Sequence, residues 1–208
     1  MPLFDATQVG ELAEAAKQQL RKRMRALRTA HPAETLAVRS RAIVERAAAL
    51  PQFAAAHGVA LFFPMQDRKE VDLRALDAEA RRQGKRVYYP FLEARGDALV
   101  SGLRLTQSLA DLAERGRRFC EPLPDAPVAQ RGDVELLFVP ALAIAPTGHR
   151  LGYGAGFYDS LLPDVCPPAQ AVAVAYDFQL LVELPILPHD VPCHILLTDT
   201  RSIVVARP

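Results

Sequence analysis

Thr147-Gly-His-Arg-Leu-Gly-Tyr-Gly-Ala-Gly-Phe-Tyr-Asp159, preceded by the apolar run Glu135-Leu-Leu-Phe-Val-Pro140, is the stretch that decides how this chain is read. Four glycines, Gly148, Gly152, Gly154 and Gly156, fall in nine residues, and three of them alternate with single residues. Glycine accepts positive φ and lets a ligand approach bare backbone. Successive N–H groups freed in this way can converge into an anion-binding concavity. A helix opening over residues 157–162 adds its free N–H groups and positive dipole end to the same place. Arg150 brings a planar fork of donors suited to phosphate. Asp159 is an oxygen ligand placed for a metal carried on that phosphate. The Walker pattern is excluded, because the only Gly-Lys, Gly84-Lys85, has Glu79 where the earlier glycine belongs. The dinucleotide pattern is excluded too, since it needs glycine where Phe157 stands.

Working outward, the same strand-then-proline signature recurs. Residues 59–63 (Val-Ala-Leu-Phe-Phe) stop at Pro64, 86–89 stop at Pro90, and 134–139 stop at Pro140. Short continuous apolar runs suit strands buried on both faces. Further strands are expected over 171–176 and 202–206, and one or two, as a hairpin excursion, over 98–106. Helical periodicity predicts helices over 33–50 (ended by Pro51), 71–82, 109–115 and 178–184. These alternate into βαβ units. The expected fold is α/β: a single three-layer domain spanning residues 1–208, Rossmann-like, with a mostly parallel sheet and a long N-terminal helix packed against it. In such sheets ligands bind at the C-terminal strand ends. That edge should gather Met65 to Glu70, the glycine loop and Asp177.

The N-terminal helix, capped by Asp5 or Thr7 and reaching about Thr29, carries two stripes. Leu12, Ala16, Leu20, Met24 and Leu27 form an apolar one. Lys17, Arg21, Arg25 and Arg28 share another face. The basic stripe reads either as a solvated face or as cations laid against a polyanionic ligand. It is short and lacks interleaved aromatics, so RNA is the weaker match.

The chain has 208 residues, half of them apolar, and a net charge of +1. That is enough for one substantial core and gives no global field for nucleic acid or anionic membrane. Cys120, Cys166 and Cys193 are odd in number and widely spaced, which argues against a disulfide scaffold or structural zinc. No apolar run has membrane-spanning length, and acidic residues precede the first basic one, unlike a secretory leader. The expectation is a soluble, cytoplasmic and monomeric protein, with neither nucleic acid nor membrane as partner.

Arg150-Leu-Gly-Tyr-Gly-Ala-Gly-Phe-Tyr-Asp159, after a strand ending Val139-Pro140, resembles the signature of the 5-formyltetrahydrofolate cyclo-ligase family. Lys17-x-x-Leu20-Arg21 resembles that family's nucleotide-binding helix. Met65 and Glu70 match the spacing of its folate-contacting pair. Glu121-Pro122 and His189-Asp-Val-Pro192 match further anchors. The resemblance implies small-molecule substrates and ATP-dependent closure of 5-formyltetrahydrofolate to 5,10-methenyltetrahydrofolate, with ATP as co-substrate and Mg²⁺ as cofactor. It implies ATP contacts from Lys17, Arg21, Arg150, Leu151, Gly152, Tyr153, Gly154, Ala155, Gly156, Phe157 and Tyr158. Folate contacts fall to Met65, Glu70, Tyr153, Gly154, Ala155, Gly156 and Phe157, the metal to Asp159, and charge neutralisation in catalysis to Arg150 and Lys17. Two positions depart from the pattern. His194 stands where family members often carry an acid, so no second metal ligand is assigned, and Ile144-Ala145 replaces Phe-Asp in what is expected to be the pocket wall. These departures motivate the alternative of a folate- or nucleotide-binding regulator that has lost the ligase step.

Overall fold

The computed structural model describes residues 6–96, 98–115 and 119–206. The chain opens with helices α1 (Ala6–Ala30), α2 (Ala33–Ala48) and α3 (Pro51–Ala55), then strand β1 (Gly58–Ala60). A single turn of 3-10 helix, Gln66–Arg68, precedes α4 (Arg74–Arg82) and the hairpin β2 (Arg86–Arg95) and β3 (Ala98–Leu105). Short strands β4 (Ala113–Glu114) and β5 (Cys120–Glu121) lead to β6 (Leu136–Pro140), and β7 (Ala143–Ile144) pairs with β8 (Arg150–Leu151). Helix α5 (Phe157–Val165) and strands β9 (Gln170–Val174), β10 (Ile195–Leu197) and β11 (Ser202–Val204) complete the chain.

Seven strands form one sheet in the order β11-β10-β9-β6-β1-β2-β3. The five inner strands are parallel, and β3 and β11 close the two edges antiparallel. Strand alternation sorts the core into two layers. Leu136, Phe138, Val172 and Val174 pack with Ile43 of α2, Phe53 of α3 and Leu76 of α4. Leu137, Val139, Ala171 and Ala173 pack on the other face with Leu161 and Leu162 of α5. The three-layer α/β expectation holds.

Several expectations change in detail. Pro90 does not end its strand. The main chain of Leu103, its register partner, bonds instead to Ala129, so Pro90 occupies a position where the ladder needs no N–H from it. Pro51 does not merely stop α2 but opens α3 at its first position, where a missing N–H costs nothing. The helices expected over 109–115 and 178–184 shrink to 3-10 turns, Leu109–Asp111 and Asp177–Gln179. Strand β10 was not anticipated, because Ile195-Leu-Leu197 is too short a run to show a period.

The apolar stripe of α1 is the largest revision. Leu20 and Met24 pack with Leu142, Leu151 and Leu184, but Leu12, Ala16 and Leu27 are exposed. The inward face is instead that of the cations: Lys17 is 4% and Arg28 2% exposed. Asp5 and the Thr7 side chain, the expected caps, lie outside what is described.

The topology fixes where a ligand goes. From β1 the chain steps through α4 to β2; from β6 it steps the other way to β9. Loops leaving the C-terminal ends of neighbouring β1 and β6 therefore diverge and leave a crevice between them.

Two glycines give opposite tests of this packing. A Cβ at Gly58 would sit 1.9 Å from the Asp133 carbonyl oxygen, whereas one at Gly10 in α1 meets nothing within 4 Å. Gly58→Ala should lower the melting temperature, with a loss of about 1–3 kcal/mol. Gly10→Ala should raise stability by roughly 0.5 kcal/mol. Thermal denaturation of both variants checks the pair.

Candidate active site

A cavity of about 450 Å³ opens at the β1/β6 crevice. After β1 come Phe62, Phe63, Met65, Arg68 and Glu70; Pro90 and Leu92 come from β2, and Pro140 ends β6. The glycine loop supplies Arg150 to Asp159, α1 supplies Glu14, Lys17 and Arg21, and the 187–194 segment supplies His189 and Asp190. The cavity thus brings together every residue to which the family resemblance assigns a ligand contact. It excludes Asp177, which is held by Arg201 and Thr198 instead.

The glycine loop is shaped by two left-handed residues, Gly154 at φ 99° and Gly156 at φ 67°, the latter opening α5. Among the described residues, the amides of 152–156 donate to no main-chain acceptor. These N–H groups remain available to a ligand. A Cβ at Gly154 would lie 3.3 Å from the Arg21 guanidinium, so the loop and α1 fit closely there.

Three of the α1 cations, Lys17, Arg21 and Arg28, have polar partners. Lys17 Nζ lies 2.5 Å from Asp190 Oδ2, with both side chains largely buried. Arg21 donates through Nε to the Gly152 carbonyl at 3.2 Å and pairs with Glu14 at 2.8 Å. Arg28 donates to the Tyr153 hydroxyl, while its Nε is buried without an acceptor. Burial would raise the Asp190 carboxyl, but hydrogen bonds from Lys17 and the Leu187 N–H hold it below its ordinary value. Asp190 escaped sequence reasoning although His189-Asp-Val-Pro192 was singled out; attention went to His194. That residue accepts the Ala171 N–H through Nδ1 at 3.0 Å and is not part of the cavity wall. Ile144 and Ala145 likewise lie in the core rather than in the wall.

The Arg150 fork is already engaged: it donates to Asp159 Oδ1 at 2.9 Å and to the Val191 carbonyl at 2.7 Å. The Val191 N–H donates to the same Asp159 oxygen at 3.2 Å. Arg150 therefore ties the glycine loop to the segment carrying Asp190 and aims Asp159. Among the described residues no cluster of three or more His, Cys, Asp or Glu side chains forms a metal cage. A Mg²⁺ bound through one or two carboxylates and the ligand's phosphates needs none.

Glu70 is 6% exposed; Oε2 accepts the Met65 N–H at 2.8 Å, and among the described residues Oε1 has no hydrogen-bond partner, although the Tyr153 hydroxyl lies close enough to act on the carboxyl. Burial pushes its carboxyl above the ordinary value, against the pull of the Met65 N–H and Arg28. Burial, with Glu70 nearby, also raises the Tyr153 phenol. Phe119 meets Phe157 edge to face at 6.0 Å. The site is thus a crevice that combines cations and, among the described residues, unbonded loop amides with a desolvated acceptor set among aromatic and apolar walls.

The description "5-formyltetrahydrofolate cyclo-ligase family" matches residues 13–199. This chain belongs to the 5-formyltetrahydrofolate cyclo-ligase family. It is 31% identical over 155 residues to the 5-formyltetrahydrofolate cyclo-ligase of Escherichia coli K12, covering 73% of this chain and 82% of that one. The Mycolicibacterium smegmatis cyclo-ligase is 45% identical over 86 residues, 41% of this chain and 44% of that protein's length. Among solved structures, the 5,10-methenyltetrahydrofolate synthetase of Aquifex aeolicus superposes with TM-score 0.78 at 30% identity, covering 92% and 94% of the two chains. For this family member, the expectation of an enzyme is borne out.

The buried acid gives a pH test. Because the folded-state value of Glu70 lies above 4.5, its contribution to stability is full below pH 4.5 and is lost as pH rises through the folded value. Ligand-free Glu70→Gln should therefore melt higher than the parent at neutral pH and lose that advantage below pH 4.5. Calorimetric scans across pH check this; a gain independent of pH removes ionisation as its source.

Proposed function

We propose that this protein catalyses the ATP-dependent closure of 5-formyltetrahydrofolate to 5,10-methenyltetrahydrofolate, releasing ADP and phosphate. The observation that carries this reading is one crevice combining unbonded loop amides and α1 cations with the buried, half-satisfied Glu70. Phosphoryl transfer needs positioning and charge neutralisation more than a protein nucleophile. Lys17 and the amides of 152–156 hold phosphate oxygens, and Arg21 and Arg150 set the loop that presents them. Glu70 accepts from the N–H and amino groups of the pterin, while Met65, Phe63, Tyr153 and Phe157 flank its plane. The formyl oxygen then attacks the γ-phosphorus as ADP leaves, N10 adds to the activated formyl carbon, and expulsion of phosphate leaves the methenyl bridge.

Asp159 and Asp190 suit Mg²⁺: both are carboxylates on the cavity wall, linked through the main chain of Val191. Bound there, Mg²⁺ supplies positive charge to the transferring phosphates. Arg150 aims Asp159, and Lys17 neutralises charge at the phosphates.

The test is direct. Purified protein with 5-formyltetrahydrofolate should develop the near-ultraviolet absorbance of the methenyl product only when ATP and Mg²⁺ are both present. Lys17→Met should lower kcat/KM for ATP by about 10²–10³-fold, as expected for loss of a preorganised charge contact. Absence of product at high protein concentration overturns the proposal.

A further inference from the structure

Arg68 and Glu70 stand two residues apart on the segment leaving β1, and both line the same cavity. Glu70 presents an acceptor without a donor. Arg68 presents the converse. Its guanidinium carbon lies 4.4 Å from the Tyr153 ring centroid, and among the described residues the group has neither a hydrogen-bond acceptor nor an ion-pair partner. Among the described residues most other arginines are tied to a carboxylate or carbonyl, whereas Arg68, with Glu70 near enough to feel its charge, lies on an aromatic face. That contact orients the plane of the fork without consuming its donors.

The turn between the two residues is rigidly set. Lys69 adopts φ 50°, an uncommon value outside glycine, and its Nζ donates to the carbonyls of Thr29 at 2.7 Å and His31 at 2.8 Å. The end of α1 thus fixes the strip of chain from which both neighbouring side chains project.

We infer that Arg68 reads the pterin: its guanidinium donates to the carbonyl oxygen of the pyrimidinone ring while Glu70 accepts from the adjoining N–H and amino group. The inference rests on the functional reading above and adds a specificity determinant to it. The pyrimidinone edge runs acceptor, donor, donor. A carboxylate matches the two donors and leaves the carbonyl oxygen unmatched. Burying that oxygen without a donor is costly, and Arg68 is the unengaged donor beside Glu70 on this wall.

The experiment compares two ligands by calorimetry: 5-formyltetrahydrofolate and its counterpart with the ring carbonyl replaced by an amino group. The parent protein should prefer the oxo ligand. In Arg68→Met that preference should fall by about tenfold or more, through weaker oxo binding, as loss of a buried acceptor's partner predicts. Arg68→Lys, which keeps the charge but not the fork, should fall between, and the KM for ATP should be unchanged in both. If Arg68→Met weakens both ligands equally, Arg68 only props Tyr153 and the inference is overturned; unchanged binding of both overturns it as well. Failure of the parent protein to bind the oxo ligand overturns the functional reading itself, and this inference with it.

Discussion

The ion pair between Lys17 and Asp190 is the contact on which the arrangement of the site depends. Both groups are withdrawn from water, and loss of either partner from such a pair typically costs about 3–5 kcal/mol, because the other is left buried and uncompensated. The pair fastens the middle of α1 to the 187–194 segment, which Arg150 ties to the glycine loop. Arg21 on the Gly152 carbonyl and Arg28 on the Tyr153 hydroxyl extend the same seam. Helix α1 is therefore docked chiefly through cations and their partners, with Leu20 and Met24 as a small apolar patch. This contact has a functional use. Cations that hold the helix in place are already at the cavity before a ligand arrives.

Sheet topology explains why so few elements suffice. Neighbouring strands β1 and β6 send their following segments apart, one toward Glu70 and the other toward the glycine loop. The first segment contributes a desolvated acid and the second contributes amides that are unbonded among the described residues. Arg150 connects the glycine loop to the 187–194 segment by bonding both Asp159 and the Val191 carbonyl. A residue chosen for its affinity for phosphate thus acts first as a brace.

The glycine loop and the parallel strands were legible because their signals are local. Alternating glycines demand unusual backbone, and a buried strand needs an unbroken apolar run. The inward face of α1 was not legible, because burial of Lys17 and Arg28 depends on Asp190 and Tyr153, which lie 173 and 125 residues away along the chain. Hydrophobic spacing alone pointed to Leu12 and Leu27, which face solvent. Pro90 misled for a related reason: a proline stops a strand only where the ladder asks for its N–H. Asp190 was overlooked in favour of His194 because register within 187–194 is set by turns, including the Asp190 N–H to the Leu187 carbonyl, that sequence spacing does not reveal.

Lys69 has a consequence beyond the turn it forms. Its ammonium clasps the carbonyls of Thr29, in the last turn of α1, and of His31 just beyond it, while Lys17 is gripped near the middle of the same rod. A helix of 25 residues, roughly 37 Å long, cannot re-seat one end and leave the other unmoved. Under the proposed function, nucleotide and folate therefore bear on the middle and the C-terminal end of one rod. Whatever advantage the first to arrive confers on the second is returned in equal measure when the order is reversed.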